Sequence, residues 1–246
     1  MSAEKYFSKA IETLSQLART QKNALDAAAG MMVEAIVSER SLYSFGASHS
    51  FILTEEMVYR TGGLMLMNPI YPHGMNLFIR PITVTSRLER VPGLGRELLL
   101  SVPIRENDVL LIASVSGRNA VVIDMALQAR EMRVKTIGIT SSAYSGGVAS
   151  RHPSGKKLSE LCDLVIDNGA PYGDAAVEIP GFAQKVGPLS SVTGCALVNA
   201  LTAEVVDRLV RKGIQPPVFM SANLDGGDEY NQRLLEANRR RIHYLG

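Results

Sequence analysis

Ser41-Leu-Tyr-Ser-Phe-Gly-Ala-Ser-His-Ser50 and Val109-Leu-Leu-Ile-Ala-Ser-Val-Ser-Gly-Arg-Asn119 follow one design. Each is a β-rich apolar run that breaks into a small, hydroxyl-rich turn and then opens a helical pattern. A strand ending in serines and glycines ahead of a helix presents free backbone N–H groups and the positive end of a helix dipole, a ready anion site. Phosphate is the usual guest. Two such turns in one chain, with no nucleotide fingerprint around either, predict a phosphorylated small molecule held by hydroxyls.

Outward from these turns, strands and helices alternate. Strands are expected at Ser41 to Phe45, Leu64 to Met67, Val109 to Ala113, Lys135 to Ile139 and Leu164 to Asp167. Helices are expected at Phe51 to Arg60, Leu94 to Val102 and Ala120 to Met132. That alternation predicts an α/β fold, a three-layer α-β-α sandwich around a parallel sheet. Ligands in such sheets bind beyond the C-terminal strand ends, where both serine turns lie. Ahead of the sheet, Phe7, Ile11, Leu14, Ala18 and Leu25 step mostly by three or four, predicting one long amphipathic helix, and Met31 to Val37 a second helical piece. Helices are also expected over Val192 to Arg211 and Glu229 to His243, whereas Asn68 to Leu94 reads as an irregular connection. The whole reads as one domain over 1–246: N-terminal helices to 40, an α/β core over 41–180, and a helical part from 181.

A chain of 246 residues, 46% hydrophobic and 20% charged, can bury one sizeable core. Its formal charge of +2 argues against nucleic acid and anionic membrane as partners. Arg239, Arg240 and Arg241 form the one basic run, read as decoration of a terminal helix. Cys162 and Cys195 sit in apolar patterns and are expected as buried, unpaired thiols in a reducing compartment. The polar start and the lack of about 18 consecutive apolar residues point to the cytoplasm.

Gly46-Ala-Ser-His-Ser50, followed by Glu55-Glu56-Met-Val-Tyr-Arg60, resembles the first signature of the sugar isomerase (SIS) domain family. Ser114-Val115-Ser116-Gly117-Arg118-Asn119 resembles its second, and Thr136 to Thr140 with Lys157 to Asp167 gives a third echo. The tail, with Pro171-Tyr-Gly-Asp174, Gly187-Pro-Leu-Ser-Ser191 and Ser221 to Gly226, looks closest to an uncharacterised bacterial branch. The resemblance implies a flavodoxin-like sheet that binds phosphosugars without metal or nucleotide, in a dimer or higher homo-oligomer with sites near the subunit interface. It also implies that Ser48, Ser50, Ser114, Ser116, Gly117 and Asn119 form the phosphate-binding turns. The plainer alternative is that these residues only shape turns and cap helices.

Two departures from the family pattern bear on activity. Ser48 stands at the second glycine of the first turn, so either that position needs no positive φ or the turn is reshaped. Arg60 stands where several family enzymes keep a catalytic glutamate, and arginine cannot act as a base at neutral pH. Glu56, one turn earlier on the same helical face, could reach the site or pair with Arg60. Moving protons beside a carbonyl calls for carboxylate and imidazole, so Glu56 and His49 are the catalytic candidates. His73, in Tyr71-Pro-His-Gly74, is a possible substrate-loop residue. His152 and His243 read as ordinary loop or terminal residues, and Glu178 and Lys185 as loop candidates.

Other motifs fail on spacing. Gly46 to Phe51 lacks the second and third glycines of G-x-G-x-x-G. His152-Pro-Ser-Gly-Lys156 lacks the first glycine of a phosphate-binding loop and reads as a surface turn, although its lysines could touch a substrate. Asn223 to Asp228 lacks calcium-loop spacing, and no metal-ligand motif occurs. The sequence therefore predicts a phosphosugar-binding protein without cofactor, acting as an aldose-ketose isomerase. A non-catalytic sugar-phosphate sensor and a lyase on a phosphorylated sugar acid are the alternatives.

Overall fold

The computed structural model describes Met1 to Leu245. Two helices, α1 (Ser2–Thr20) and α2 (Lys22–Val37), precede the first strand, β1 (Leu42–Gly46). A 3-10 turn over Ser48–Phe51 then leads into α3 (Ile52–Met57). There follow β2 (Met67–Pro69), α4 (Thr83–Leu88), α5 (Leu94–Leu100), β3 (Val109–Ala113) and α6 (Ala120–Glu131). The sheet is completed by β4 (Lys135–Thr140), α7 (Ser142–Gly146) and β5 (Leu164–Asp167). A small hairpin of β6 (Ala175–Val177) and β7 (Val186–Pro188) precedes α8 (Ser190–Arg211) and α9 (Gly227–Ala237).

The five main strands are parallel and lie in the order β2-β1-β3-β4-β5. This is the flavodoxin-like order, with its reversal point between β1 and β3. Alternation along each strand divides the core. Leu42, Leu111, Ile137 and Ile166 face α2 and α8, packing with Met32, Ile36, Leu197 and Leu201. Tyr43, Phe45, Leu110 and Ile112 face α5 and α6, packing with Leu99, Val122 and Met125. Both sheet faces are thus covered, and the strand ends are left as the place for chemistry.

Several elements differ from the sequence reading. The long first helix is broken at Gln21, whose side-chain Oε1 accepts the Asp167 N–H at 3.0 Å, so Leu25 belongs to α2. Phe7 and Ile11 are exposed rather than packed. The helix after the first turn stops at Met57, and Tyr59 takes φ 48°, so Arg60 lies beyond it. β2 sits at Met67–Pro69 instead of Leu64 to Met67 because its register is set by pairing Leu42 with Met67. The 68–94 connection contains a short helix, α4. The last helix ends at Ala237, and Arg239–Arg241 form a 3-10 turn in which Arg241 bonds the Ile36 carbonyl. Both cysteines are free thiols, and burial pushes Cys162 up to about 12. Among the described residues no helix is long and apolar enough to cross a membrane.

Candidate functional site

A crevice opens at the C-terminal ends of β1 and β3, at the reversal point of the sheet. His49 and Ser50 come from the first turn, and Ser114 and Val115 from the second. Asn168, after β5, and Ser190 and Ser191, at the start of α8, close it from the other side. The crevice is narrow, about 10 Å³, room for about one water molecule. Among its lining residues there is no carboxylate. The polar groups it offers are one imidazole together with hydroxyls and an amide, the latter neutral donors suited to an anion that must also leave.

The first turn is forced by close packing. A Cβ on Gly46 would run into the Ser50 carbonyl and lie 2.8 Å from the Phe51 nitrogen, so only glycine allows the chain to fold back after β1. Ser48 takes φ 57°, and its N–H donates to the Met75 carbonyl at 2.8 Å. The position thus does take positive φ, which serine adopts here, and the expectation that it needs none is not met. His49 is exposed on this turn. His73 is also exposed, 6.5 Å ring to ring from Tyr71, which in turn lies 6.1 Å from Phe51. It flanks the first turn and does not line the crevice.

The second turn is fixed by its own hydroxyls and by β4. The Ser114 Oγ accepts the Gly117 N–H at 3.2 Å, and Gly117 takes φ 60° with Thr140 Oγ1 close beneath it. Thr140 Oγ1 and the Ser141 N–H both donate to the Val115 carbonyl. Ser116 is half-buried in this turn but outside the crevice lining. Asn119 occupies the N-cap position of α6 without capping it. Its Nδ2 donates to Glu89 at 2.7 Å, and its Oδ1 accepts from Arg151 at 3.0 Å. The outer flank of the turn carries surplus positive charge. Burial, then the neighbouring Arg118 and Arg90, lower the Arg151 pKa, and the buried Arg118 Nε has no hydrogen-bond partner among the described residues.

Glu56 is not in the crevice lining. Its Oε1 lies 2.9 Å from Arg60 Nε and accepts from Asn199 Nδ2 of α8 at 2.8 Å. Of the two possibilities open in the sequence, the pairing with Arg60 is the one that forms. Other candidates are also engaged elsewhere. Lys157 donates to the Ser145 and Val148 carbonyls, Lys156 faces Glu160, and Lys185 pairs with Glu178. His152 corrects its reading as a plain loop residue: its Nε2 lies 2.9 Å from Asp124 Oδ1, both side chains being nearly buried, and it pins the 150–157 loop to α6. His243 stacks on Tyr43 and meets Ser41 Oγ at 3.2 Å.

Sequence reasoning did not assign Asn168, Ser190 or Ser191 to the site. Asn168 is 2% exposed, its Oδ1 accepting from Ala170 N–H. The start of α8 is capped from a distance: the Asp174 carboxylate accepts from the Leu189 and Ser190 N–H groups and from Ser190 Oγ, the last at 2.6 Å. The only sequence signal was Gly187-Pro-Leu-Ser-Ser191, a helix-opening pattern more than seventy residues from Ser114.

A parallel sheet of this order with serine turns meeting at its reversal point is the arrangement of the SIS domain family, and the chain belongs to that family, residues 5–141 matching its SIS domain. It is 45% identical over 242 residues to a UPF0309 protein of Shouchella clausii, covering 98% of both chains. A UPF0309 protein of Oceanobacillus iheyensis is 43% identical over the same share. Among solved structures, a phosphoheptose isomerase from Francisella tularensis is similar at TM-score 0.56 and 14% identity, over 82% of this chain and 95% of that one. The Vibrio vulnificus NanR protein complexed with ManNAc-6P is similar at TM-score 0.50 and 15% identity, over 96% of this chain and 68% of that one. At such identities the likeness shows the fold.

Proposed function

We propose that the chain binds a phosphorylated sugar at the β1/β3 crevice and interconverts its aldose and ketose forms. One observation carries the reading: two hydroxyl-rich turns and the start of a 22-residue helix converge on a crevice whose lining has no carboxylate. Ser50, Ser114 and Ser191 hold the phosphate oxygens with neutral hydrogen bonds, while Ser116 and Gly117 shape the turn. The narrow crevice receives a phosphate oxygen, and the sugar lies outside it beside the exposed His49. His49, the titratable group of the lining, takes the proton beside the carbonyl and returns it to the former carbonyl carbon, while the hydroxyl proton passes from one oxygen to the other through the enediol. Likeness in fold to a phosphoheptose isomerase and to a NanR protein complexed with ManNAc-6P supports a sugar phosphate as ligand. The same reading carries a homodimer, supported by Phe7 and Ile11, 66% and 63% exposed one helical turn apart on α1.

A sensor without turnover is the second reading, favoured by the engagement of Glu56 with Arg60 and Asn199. The test is thermal-shift binding against hexose, aminohexose, heptose and muramic acid phosphates, followed by proton NMR of each hit in deuterium oxide. Exchange beside the carbonyl, lost in His49→Gln with binding kept, is the expected result. Binding without exchange leaves the sensor. Affinity unchanged in Ser114→Ala/Ser116→Ala removes the phosphate assignment.

A further inference from the structure

The opposite edge of the sheet, where the strands begin, carries a second cleft of about 880 Å³. Its walls include Arg40, before β1, Arg105, before β3, and Arg239, Arg240 and Arg241, after α9. Five arginines there face two glutamates, Glu39 and Glu236, a local surplus of three positive charges where the whole chain carries +2. Among the described residues, Arg40, Arg105 and Arg240 have no carboxylate within 4.0 Å, and Glu236 reaches Arg239 only at 3.7 Å. Asp108, three residues after Arg105, is engaged: its oxygens accept the Ser41 N–H at 2.9 Å and the Arg105 N–H at 2.7 Å. Like charges gathered this way repel each other unless an anion joins them.

The cleft is also anchored. Arg241 donates to the Ile36 carbonyl at 2.9 Å and to Asn238 at 2.7 Å, and its own carbonyl accepts from the buried Asn68 at 2.9 Å. The 3-10 turn bearing three of the arginines is therefore held against α2 and β2 rather than left as a loose tail. Arginine presents a planar fork of donors that fits phosphate oxygens, and three unpaired forks on one concave wall suit adjacent phosphates. Beside it, sharing Ser38 and Arg40, lies a further space of about 580 Å³ whose walls mix Ala27, Met31, Ala35 and Val109 with Glu34, Asn107, Lys135 and Asp163. A ligand anchored by its phosphates can extend a polar body with hydroxyls and ring nitrogens, such as a nucleoside, into that mixed space.

We infer that this cleft, at the opposite end of the strands from the serine turns, binds a small molecule carrying two or more adjacent phosphates. A nucleoside diphosphate and free polyphosphate share that chemistry, and the neighbouring space separates them by giving a nucleoside room beside the arginines. The site does not depend on the sugar-phosphate reading.

Isothermal titration of the full chain with ADP, tripolyphosphate and adenosine tests it. ADP and tripolyphosphate are expected to bind, more weakly as salt rises. Binding should fall roughly tenfold or more in Arg105→Gln/Arg240→Gln, the loss expected for charge-assisted contacts. Both side chains are exposed, so the fold is retained, which an unchanged melting temperature would verify. ADP binding tighter than tripolyphosphate identifies a nucleotide, and the reverse order a free polyphosphate. Arg40→Gln provides a second, independent loss. Ser114→Ala/Ser116→Ala should leave ADP binding unchanged, which keeps this site distinct from the crevice. Absence of ADP and tripolyphosphate binding, or binding equal in the wild type and the double arginine variant, overturns the inference.

Discussion

Arg60 Nε sits 2.9 Å from Glu56 Oε1, across the point where α3 has already ended. The guanidinium thus holds Glu56, the carboxylate candidate one turn before it, in an ion pair. Glu56 is further tied to α8 through Asn199. A carboxylate so engaged links two helices and is a poor free base. Glu56→Gln should keep ligand binding and any deuterium exchange within about threefold. It should cost about 1 kcal/mol or less, as for a partly exposed ion pair. Turnover and calorimetric melting, measured together, check this, and abolished exchange with intact binding would restore Glu56 to the chemistry.

Ser48→Gly bears on the other departure from the family. A non-glycine residue at φ 57° carries a steric cost of about 1–2 kcal/mol, partly offset because glycine loses more chain entropy on folding. The substitution should therefore be neutral or stabilise by up to about 1 kcal/mol. Gly46→Ala should do the opposite and fail to fold well, since its added carbon meets backbone at Ser50 and Phe51 that no rotamer change can move. Urea titration of the two variants compares them directly.

Asp174 caps α8 from the hairpin side, itself at φ 67°. Asp174→Ala removes three acceptor contacts and places alanine in the left-handed region, costing about 2 kcal/mol or more. Asp174→Asn keeps an acceptor and tolerates that backbone, so most of the loss should be recovered. The same exchange removes a negative charge bonded to Ser190 of the crevice and should tighten phosphate binding. Denaturation and ligand titration of both variants read the two effects separately.

These features were unevenly legible in the sequence. β3 and β5 begin and end where the apolar runs Val109 to Ala113 and Leu164 to Asp167 do, because an unbroken apolar run between turns has one place in a buried sheet. The break at Gln21 left no trace, since glutamine is a good helix former and its reason is a bond to Asp167 far along the chain. α4 escaped because Thr83-Val-Thr-Ser lacks helix-forming strength, and β6 and β7 because three residues are too few to show alternation. For the site, the serine turns were legible since strand, turn and helix lie within a dozen residues. Asn168, Ser190 and Ser191 reach the crevice only through tertiary packing.

His243 supplies a pH dependence that can be argued from its surroundings. Its ring lies parallel to Tyr43, centroids 5.9 Å apart, with Nε2 3.2 Å from Ser41 Oγ, while the backbone N–H of His243 donates to Asn68 Oδ1. Burial lowers its pKa from the ordinary 6.5, Asp108 acts in the raising direction, and Arg105 adds to the lowering. At pH 7 the ring is mostly neutral folded or unfolded, so the shift contributes little. Below about 6.5 the unfolded chain takes up a proton that the folded ring resists, so the unfolded state gains and stability falls as the pH drops toward the lower folded value. His243→Gln removes that term and also the stacking, worth about 0.5–1.5 kcal/mol. The variant should therefore melt below the wild type at pH 7.5, and the gap should narrow between pH 6.5 and 5. A gap that stays constant across that range would show that the histidine does not titrate differently on folding.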